Sequence, residues 1–252
     1  MKGKYSPDDP VAYGAPIACP GKSDGLVLSA VHGNNADLLA EVARLWITPD
    51  DLIADITFGN GGFWGKLPQL SIKGTDLAHD GIDCRDLPYE DESFDVVAFD
   101  PPYQPMHGSP NRSFGVGRSY RLGETGLQTI AQVLDLYEQG LKECARVLRP
   151  GGRVLVKCQD MTYNHRLHMI TLDVLKLMVK AELDLADQFI LVNTSRMPKV
   201  IARQQRARRS HSVLWVGVKE GGTYRYPVED NWRELIFPKL PIPDQPSLFE
   251  EM

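Results

Sequence analysis

The chain has 252 residues, with 28 Lys and Arg against 33 Asp and Glu for a formal net charge of -5, and 42% of its residues are hydrophobic. At roughly 150 residues per domain that length holds one large domain or two small ones, and the composition excludes disordered, collagenous and coiled-coil chains. No apolar run reaches the ~20 residues that cross a bilayer, and the opening Met1-Lys2-Gly3-Lys4 has no hydrophobic leader, so a cytoplasmic protein with no membrane partner is predicted.

Residues 1–25 are rich in Pro and Gly and are expected to wrap a surface without regular structure. Asn34 or Asn35 can cap a helix over 36–46, where Leu38, Leu39, Val42, Leu45 and Trp46 recur at helical spacing. A buried strand is predicted over 52–56, closed by a glycine turn at 58–62, and short strands follow over 70–74 and 94–99. After a Gly-rich stretch at 104–126, a helix runs from 127 to 148 and ends at Arg149-Pro150-Gly151-Gly152. A strand over 153–157, a helix over 167–181 and strands over 189–192 and 212–218 complete the series. Alternating strands and helices predict a mostly parallel sheet covered on both faces. The last two strands have no helix between them and are expected to pair antiparallel. Beyond Lys219 the chain carries Pro227, Pro238, Pro241, Pro243 and Pro246, which divides it into a domain over 1–219, N-terminal extension included, and an appended arm over 220–252.

Cys19, Cys84, Cys144 and Cys158 are widely separated and form no Cys-x-x-Cys pair. Reduced, mostly buried thiols are predicted, with neither a disulfide framework nor a zinc ribbon. His165 and His168 stand three apart, a metal-compatible spacing on a helix, but with no third ligand, so no metal site is expected. Charge is unevenly spread. Arg196, Lys199, Arg203, Arg206, Arg208 and Arg209 follow one another with no acid between them, whereas acids crowd 76–100 and the C-terminal tail. An acidic chain can bind nucleic acid where its cations are concentrated in this way.

Asp55-Ile56-Thr57-Phe58-Gly59-Asn60-Gly61-Gly62 sets a carboxylate at a strand end and glycines in the tight turn that follows. Glycine permits positive φ and close approach of backbone to a ligand, and ligands of open α/β sheets sit at the carboxyl ends of the strands. Gly74-Thr75-Asp76-Leu77 ends the next strand with an acid about 20 residues on, where a ribose hydroxyl pair would be held. Asp83-Cys84 then precedes the following strand. As a set these segments resemble the S-adenosylmethionine site of class I methyltransferases. The resemblance implies Asp55, Gly59 and Gly61 near the methionine end, Asp76 on the ribose with Leu77 beside it, and Asp83 with the Cys84 backbone near the adenine. Thr57 stands where that family usually carries an aromatic, with Phe58 one place later; both count among the cofactor residues.

Asp100-Pro101-Pro102-Tyr103 follows the strand over 94–99 and is the most specific motif in the chain. It resembles the catalytic tetrapeptide of amino-group methyltransferases acting on nucleobases, a likeness that extends over residues 51–218. The fold it implies is the class I methyltransferase three-layer α/β sandwich, with a mostly parallel seven-stranded sheet and an antiparallel strand near the C-terminal end. An exocyclic amine is a poor nucleophile because its lone pair is delocalised into the ring. Asp100 and the Pro101 carbonyl can accept its N–H bonds and redirect that lone pair, Pro101 and Pro102 hold the turn stiff, and Tyr103 can stack on a base withdrawn from its helix. Asp100 also borders the cofactor. Carbon-5 cytosine methylation needs a cysteine after a proline, and Cys19-Pro20 has the reverse order, so covalent catalysis is not expected. Within the resembled family adenine enzymes carry Asp or Asn at the first position and cytosine amino enzymes usually carry Ser, so Asp100 favours adenine, although guanine N2 enzymes acting on RNA can share the motif.

Two segments are candidates for holding nucleic acid: Arg112, Arg118 and Arg121, interleaved with Phe114 and Tyr120, and the run Arg203, Arg206, Arg208 and Arg209. Lys157, at a strand end, either points into the site or is a half-buried strand-end lysine. Gln245-Pro246-Ser247-Leu248-Phe249 resembles the peptide by which bacterial DNA-processing proteins dock on the replication sliding clamp, with Gln245, Leu248 and Phe249 as its anchors. The expected function is S-adenosylmethionine-dependent methylation of DNA at adenine N6. The alternatives are an RNA N-methyltransferase acting on adenine N6 or guanine N2, and a non-catalytic DNA-binding subunit of the same fold.

Overall fold

The computed structural model describes residues 21, 25–103, 105, 127, 129–164, 166–193, 207 and 209–219. Along them run β1 (Ala30–Gly33), α1 (Asn35–Trp46), β2 (Ile53–Asp55), a 3₁₀ turn (Gly62–Trp64), β3 (Ile72–Gly74), β4 (Phe94–Phe99), α2 (Ile130–Val147) and β5 (Leu148–Cys158). Then follow β6 (Met161–Tyr163), β7 (Arg166–His168), α3 (Ile170–Lys180), β8 (Leu183–Asn193) and β9 (His211–Lys219).

Among the described residues the main sheet has seven strands in the order β1-β8-β9-β5-β4-β2-β3. Neighbours pair parallel except at β9, which runs antiparallel to both β5 and β8. Along β4 the side chains alternate between two cores. Val97 and Phe99 join Leu136, Tyr137 and Leu141 of α2 and Val174 and Met178 of α3 on one face. Val96 and Ala98 join Leu38, Leu39, Val42 and Trp46 of α1 on the other. A strand buried on both faces reads as a continuous apolar run, as this one does. The result is the three-layer α/β sandwich expected from the sequence.

The helix starts follow from local chemistry. The Asn34 side chain accepts the Ala36 and Asp37 N–H groups while the Asp37 carboxylate accepts the Asn34 N–H, and Thr129 and Gln132 form the same reciprocal box at the start of α2.

Several elements differ from the sequence expectation. The helix predicted over 167–181 begins only at Ile170, because 161–163 and 166–168 pair as the antiparallel strands β6 and β7, with Asn164 after β6 at φ 47°. His168 therefore lies on a strand, its ring edge-on to Tyr163, so the helical spacing assumed for it with His165 does not exist; His165 lies outside the described residues. Strand β5 starts at Leu148, directly after α2, and takes in the Pro-Gly-Gly stretch expected to be a break, with a register shift against β4. Strand β8 extends back to Leu183 through a bulge at Leu185/Asp187, where the Trp46 indole N–H donates to Asp187 Oδ2 at 2.9 Å. The edge strand β1 carries no alternating pattern and was not expected; its partner β8 supplies its hydrogen bonds. Residues 1–20 and the arm at 220–252 lie outside the described residues.

A Cβ at Gly140 of α2 would lie 2.4 Å from the ring of Phe99, which Tyr137 backs edge-on at 5.6 Å. Gly140→Ala should therefore destabilise the protein by about 1–3 kcal/mol through overpacking, despite alanine's better helix propensity. Urea denaturation checks this, and a variant as stable as the wild type contradicts it.

Candidate active site

Parallel register carries the chemistry to one rim of the sheet. Asp55 ends β2 opposite Gly74 and Ala98, Phe99 at the end of β4 stands opposite Val156 of β5, and Gly33 of β1 stands opposite Asn193 of β8. Asn34, Thr57 and Asp100, just past their strands, and Lys157, the penultimate residue of β5, consequently meet at the carboxyl edge. Strand order reverses between β2 and β4, and such a switch point opens a crevice.

The glycine turn is built on this rim. Gly59 and Gly61 adopt φ 53° and 67°, left-handed values that glycine takes without penalty. Phe58 folds its ring across the turn: a Cβ on Gly74 would stand 2.4 Å from it, and one on Gly61 2.7 Å. Instead of a helix the turn leads into the short 3₁₀ segment, whose Trp64 donates its indole N–H to Asp55 Oδ2 at 2.7 Å. The Thr57 N–H donates to Asp55 Oδ1 at 3.0 Å. Burial pushes the Asp55 carboxyl up to about 7, the nearby Asp100 charge adds to the rise, and the Trp64 and Thr57 bonds oppose it.

The Asp-Pro-Pro-Tyr segment is tied to this turn. The Asp100 N–H donates to Thr57 Oγ1 at 2.8 Å, and that hydroxyl lies 3.5 Å from Asp55 Oδ1. Lys157 sets its ammonium 3.3 Å from both oxygens of the Asp100 carboxylate, and Asn35 Nδ2 approaches Oδ2 at 3.4 Å. The lysine side chain is only 4% exposed, so the strand-end alternative gives way to one that points into the site. Its backbone carbonyl is anchored by the Tyr137 hydroxyl at 2.7 Å. Burial opposes the lysine's charge most strongly, but Asp100, Tyr103 and Cys158 together outweigh it and the ammonium pKa lies above its usual value. Pro101 is buried; Pro102 and Tyr103 are half-buried, and the Tyr103 ring lies 5.3 Å from the Lys157 ammonium. Burial raises the Tyr103 phenol pKa, with Lys157 opposing.

Asp55, Thr57, Phe58, Gly59 and Asp100 line one cleft of about 630 Å³, together with Asn34, Asn35, Leu191 and Asn193. Those last four were not singled out as site residues in the sequence; Asn34 and Asn35 follow β1 and Asn193 ends β8, strands whose pairing no local pattern reveals. Gly61 sits outside the lining and caps the 3₁₀ turn. Asp76 is 6% exposed and accepts the N–H groups of Gly59 at 3.2 Å and Ala78 at 2.8 Å, with His79 Nδ1 at 3.0 Å. It thus braces the turn from below, while Leu77 beside it is 37% exposed. Asp83 is held bidentately by Arg85, which keeps its carboxyl below the usual range, and burial pushes the Cys84 thiol up to about 12. Cys144 and Cys158 are likewise buried and free. Arg209 is half-buried. Arg112, Arg118, Arg121, Arg203, Arg206, Arg208, Cys19 and the peptide anchors Gln245, Leu248 and Phe249 lie outside the described residues.

Among the described residues no group of His, Cys, Asp or Glu could hold a metal ion, and no helix is long and apolar enough to cross a membrane. The cleft suits an elongated ligand with a cationic end against Asp55 and a reacting end against Asp100.

A DNA methylase family model, of the N6/N4 methyltransferase type, matches residues 94–237. No curated protein sequence matches significantly. A candidate DNA modification methylase from Thermus thermophilus, solved with S-adenosyl-L-methionine, aligns over 75% of this chain and 63% of its own, at 17% identity and a TM-score of 0.40. This chain thus spans somewhat under two thirds of that protein's length. A Pyrococcus horikoshii protein aligns over 73% of this chain and 89% of its own at 16% identity and a TM-score of 0.45. The cytosine-N4-specific PvuII DNA methyltransferase aligns over 64% and 53% at 18% identity and a TM-score of 0.41.

The raised Asp55 carboxyl makes a pH prediction. Its folded-state pKa exceeds its unfolded value, so the folded state holds a proton that the unfolded chain releases; the stabilising contribution is full below about pH 4 and is lost as pH rises towards 7. Relative to Asp55→Asn, the wild type should lose up to ~4 kcal/mol of unfolding free energy between pH 4 and 8. Parallel stability curves for the two proteins would contradict the assignment.

Proposed function

The chain belongs to the DNA methylase family of the N6/N4 type, and on that premise we propose that it transfers a methyl group from S-adenosylmethionine to the N6 amine of an adenine withdrawn from DNA. The observation that carries the reading is that Asp100 and the Asp55 glycine turn share one cleft, joined through Thr57.

S-adenosylmethionine, when bound, supplies an electrophilic methyl group on a sulfonium centre. The residues that would hold it are Asp55, Phe58, Gly59, Asp76 and Leu77. Their character fits: Asp55 is a buried carboxylate left short of a cation, the turn exposes backbone where side chains are absent, and Leu77 offers an apolar surface. A cationic ligand beside Asp55 would draw the carboxyl into its ionised form, so binding should release a proton near neutral pH.

The remaining work belongs to the chain's own groups. The Asp100 carboxylate and the Pro101 carbonyl accept the two amine N–H bonds and localise the nitrogen lone pair. Transfer would form the N–CH3 bond as the sulfonium S–CH3 bond breaks, with the neutral thioether as leaving group, and the proton then lost from the nitrogen would pass to Asp100 and on to water. Tyr103, whose ring packs against the core with the Lys157 ammonium 5.3 Å from its centre, is the proposed stacking residue for the base, a contact worth ~1–3 kcal/mol. Alignment of the two partners supplies much of the acceleration. Aspartate at the first motif position favours adenine over cytosine. The arginine-rich segments are the proposed phosphate contacts, and the clamp-like peptide a tether to replicating DNA.

Incubation with methyl-labelled cofactor and separate DNA and RNA pools, followed by mass spectrometry of nucleosides, tests the substrate. Labelled N6-methyladenine in DNA is expected; label confined to RNA or to cytosine moves the assignment. Two substitutions should divide the site. Asp100→Ala removes transfer by ~10²-fold or more, as expected for a lost hydrogen-bonding partner, and leaves the cofactor dissociation constant nearly unchanged. Asp76→Ala weakens cofactor binding by ~1.5–3 kcal/mol, measured by calorimetry. Near-normal turnover in the first, or an unchanged constant in the second, contradicts the roles given.

A further inference from the structure

Resting on that reading, we propose that Lys157 is a positioning residue of the transfer reaction, holding the Asp100 carboxylate fixed in direction as a hydrogen-bond acceptor for the base amine. The ammonium lies 3.3 Å from each Asp100 oxygen, in a side chain 96% removed from solvent by its 4% exposure. A lysine is rarely buried unless paired, and this one spends its charge on the first residue of the catalytic tetrapeptide. Its own position is doubly set, by strand pairing with Leu214 of β9 and by the Tyr137 hydroxyl bound to its carbonyl. The lysine therefore transmits the rigidity of the sheet centre to a carboxylate that stands beyond the end of β4.

The surroundings of Asp100 explain why a cation is needed. From β2 it faces Asp55, a second buried carboxylate; from α1 it faces the neutral Asn35 amide; after it in the chain comes the Tyr103 phenol. Among these described neighbours Lys157 supplies the positive charge. Without it, two carboxylates would share a poorly solvated space, and Asp100 would lose the partner that holds both of its oxygens. The same ammonium lies against the Tyr103 ring at 5.3 Å, which couples the stacking residue to the carboxylate through one cation.

Lys157→Met keeps the side chain's length and apolar stem and removes the charge. With saturating cofactor and DNA, its kcat should fall about tenfold or more, as expected when a reacting group is misplaced. The KM for cofactor should stay within about twofold, because Lys157 lies outside the lining of the cleft. Lys157→Arg, which keeps the charge, should recover most of the lost kcat. In an Asp100→Asn background, adding Lys157→Met should lower kcat no further. Carbon-13 NMR of the Asp100 carboxyl at pH 7 gives a reading independent of turnover: its chemical shift should change in Lys157→Met and stay near the wild-type value in Lys157→Arg. A kcat and an Asp100 carboxyl shift both unmoved in Lys157→Met overturn the proposal. So does a Lys157→Met protein that fails to fold while the Asp100→Asn/Lys157→Met double variant folds, since that assigns the lysine to stability. A wild type that methylates no nucleic acid overturns the functional reading instead, and the carboxyl chemical shift still decides the placement of Lys157.

Discussion

The site depends on the hydrogen bond from the Asp100 N–H to Thr57 Oγ1, 2.8 Å long, at the point where β2 and β4 end side by side. Parallel pairing of adjacent strands brings two chain segments 43 residues apart to the same height, and one hydroxyl then closes the gap between them. The glycine turn and Asp100, the first residue of the Asp-Pro-Pro-Tyr segment, thereby line a single cleft. Thr57 takes this role at the position where the resembled family usually carries an aromatic. The aromatic ring is displaced by one residue to Phe58, which packs across Gly61 and Gly74 and leaves no room for a Cβ at either.

Charge follows from the same geometry. Asp55 and Asp100 are brought together in a place where water is scarce, and each is relieved differently. Asp55 is held by donated hydrogen bonds from Trp64 and Thr57, which do not fully offset burial, so its carboxyl stays up at about 7. Asp100 is relieved by the Lys157 ammonium. The two carboxylates therefore differ in character: one is poised to ionise when a cation arrives, the other is paired beforehand. A cofactor carrying positive charge and an amine needing an acceptor call for that division. Buried ion pairs contribute little net stability, since desolvation offsets most of the attraction, which makes a role in orienting Asp100 the more economical account of Lys157.

The fold was legible in the sequence where one physical signal dominated. Strand β4 was read to its exact bounds because both faces are buried and the run is apolar throughout, and α1 because Leu38, Leu39, Val42 and Trp46 repeat on one face above a capping asparagine. The elements that were missed owe their form to partners distant in sequence. Strand β1 is four residues held by β8, the polar half of β8 is ordered by Trp46 and β9, and β6 and β7, three residues each, pair with one another. The candidate site was legible as motifs, so Asp55, Thr57, Phe58, Gly59 and Asp100 were found and do line one cleft. Asn34, Asn35 and Asn193 were not, because they reach it through strand pairings that leave no local trace. The engagement of Asp83 by Arg85, and of Asp76 by the turn it supports, likewise emerges only in three dimensions.

The central claim is that the glycine turn and Asp100 form one cofactor-binding cleft. The most direct test is a titration of S-adenosylmethionine into nitrogen-15-labelled protein, followed residue by residue by NMR. The account predicts saturable shifts concentrated at the amides of Asn35, Thr57, Gly59, Asn60, Asp100 and Asn193. Shifts that saturate elsewhere, for instance between the β6–β7 hairpin and the start of α2, or no saturable shift at all, would contradict it.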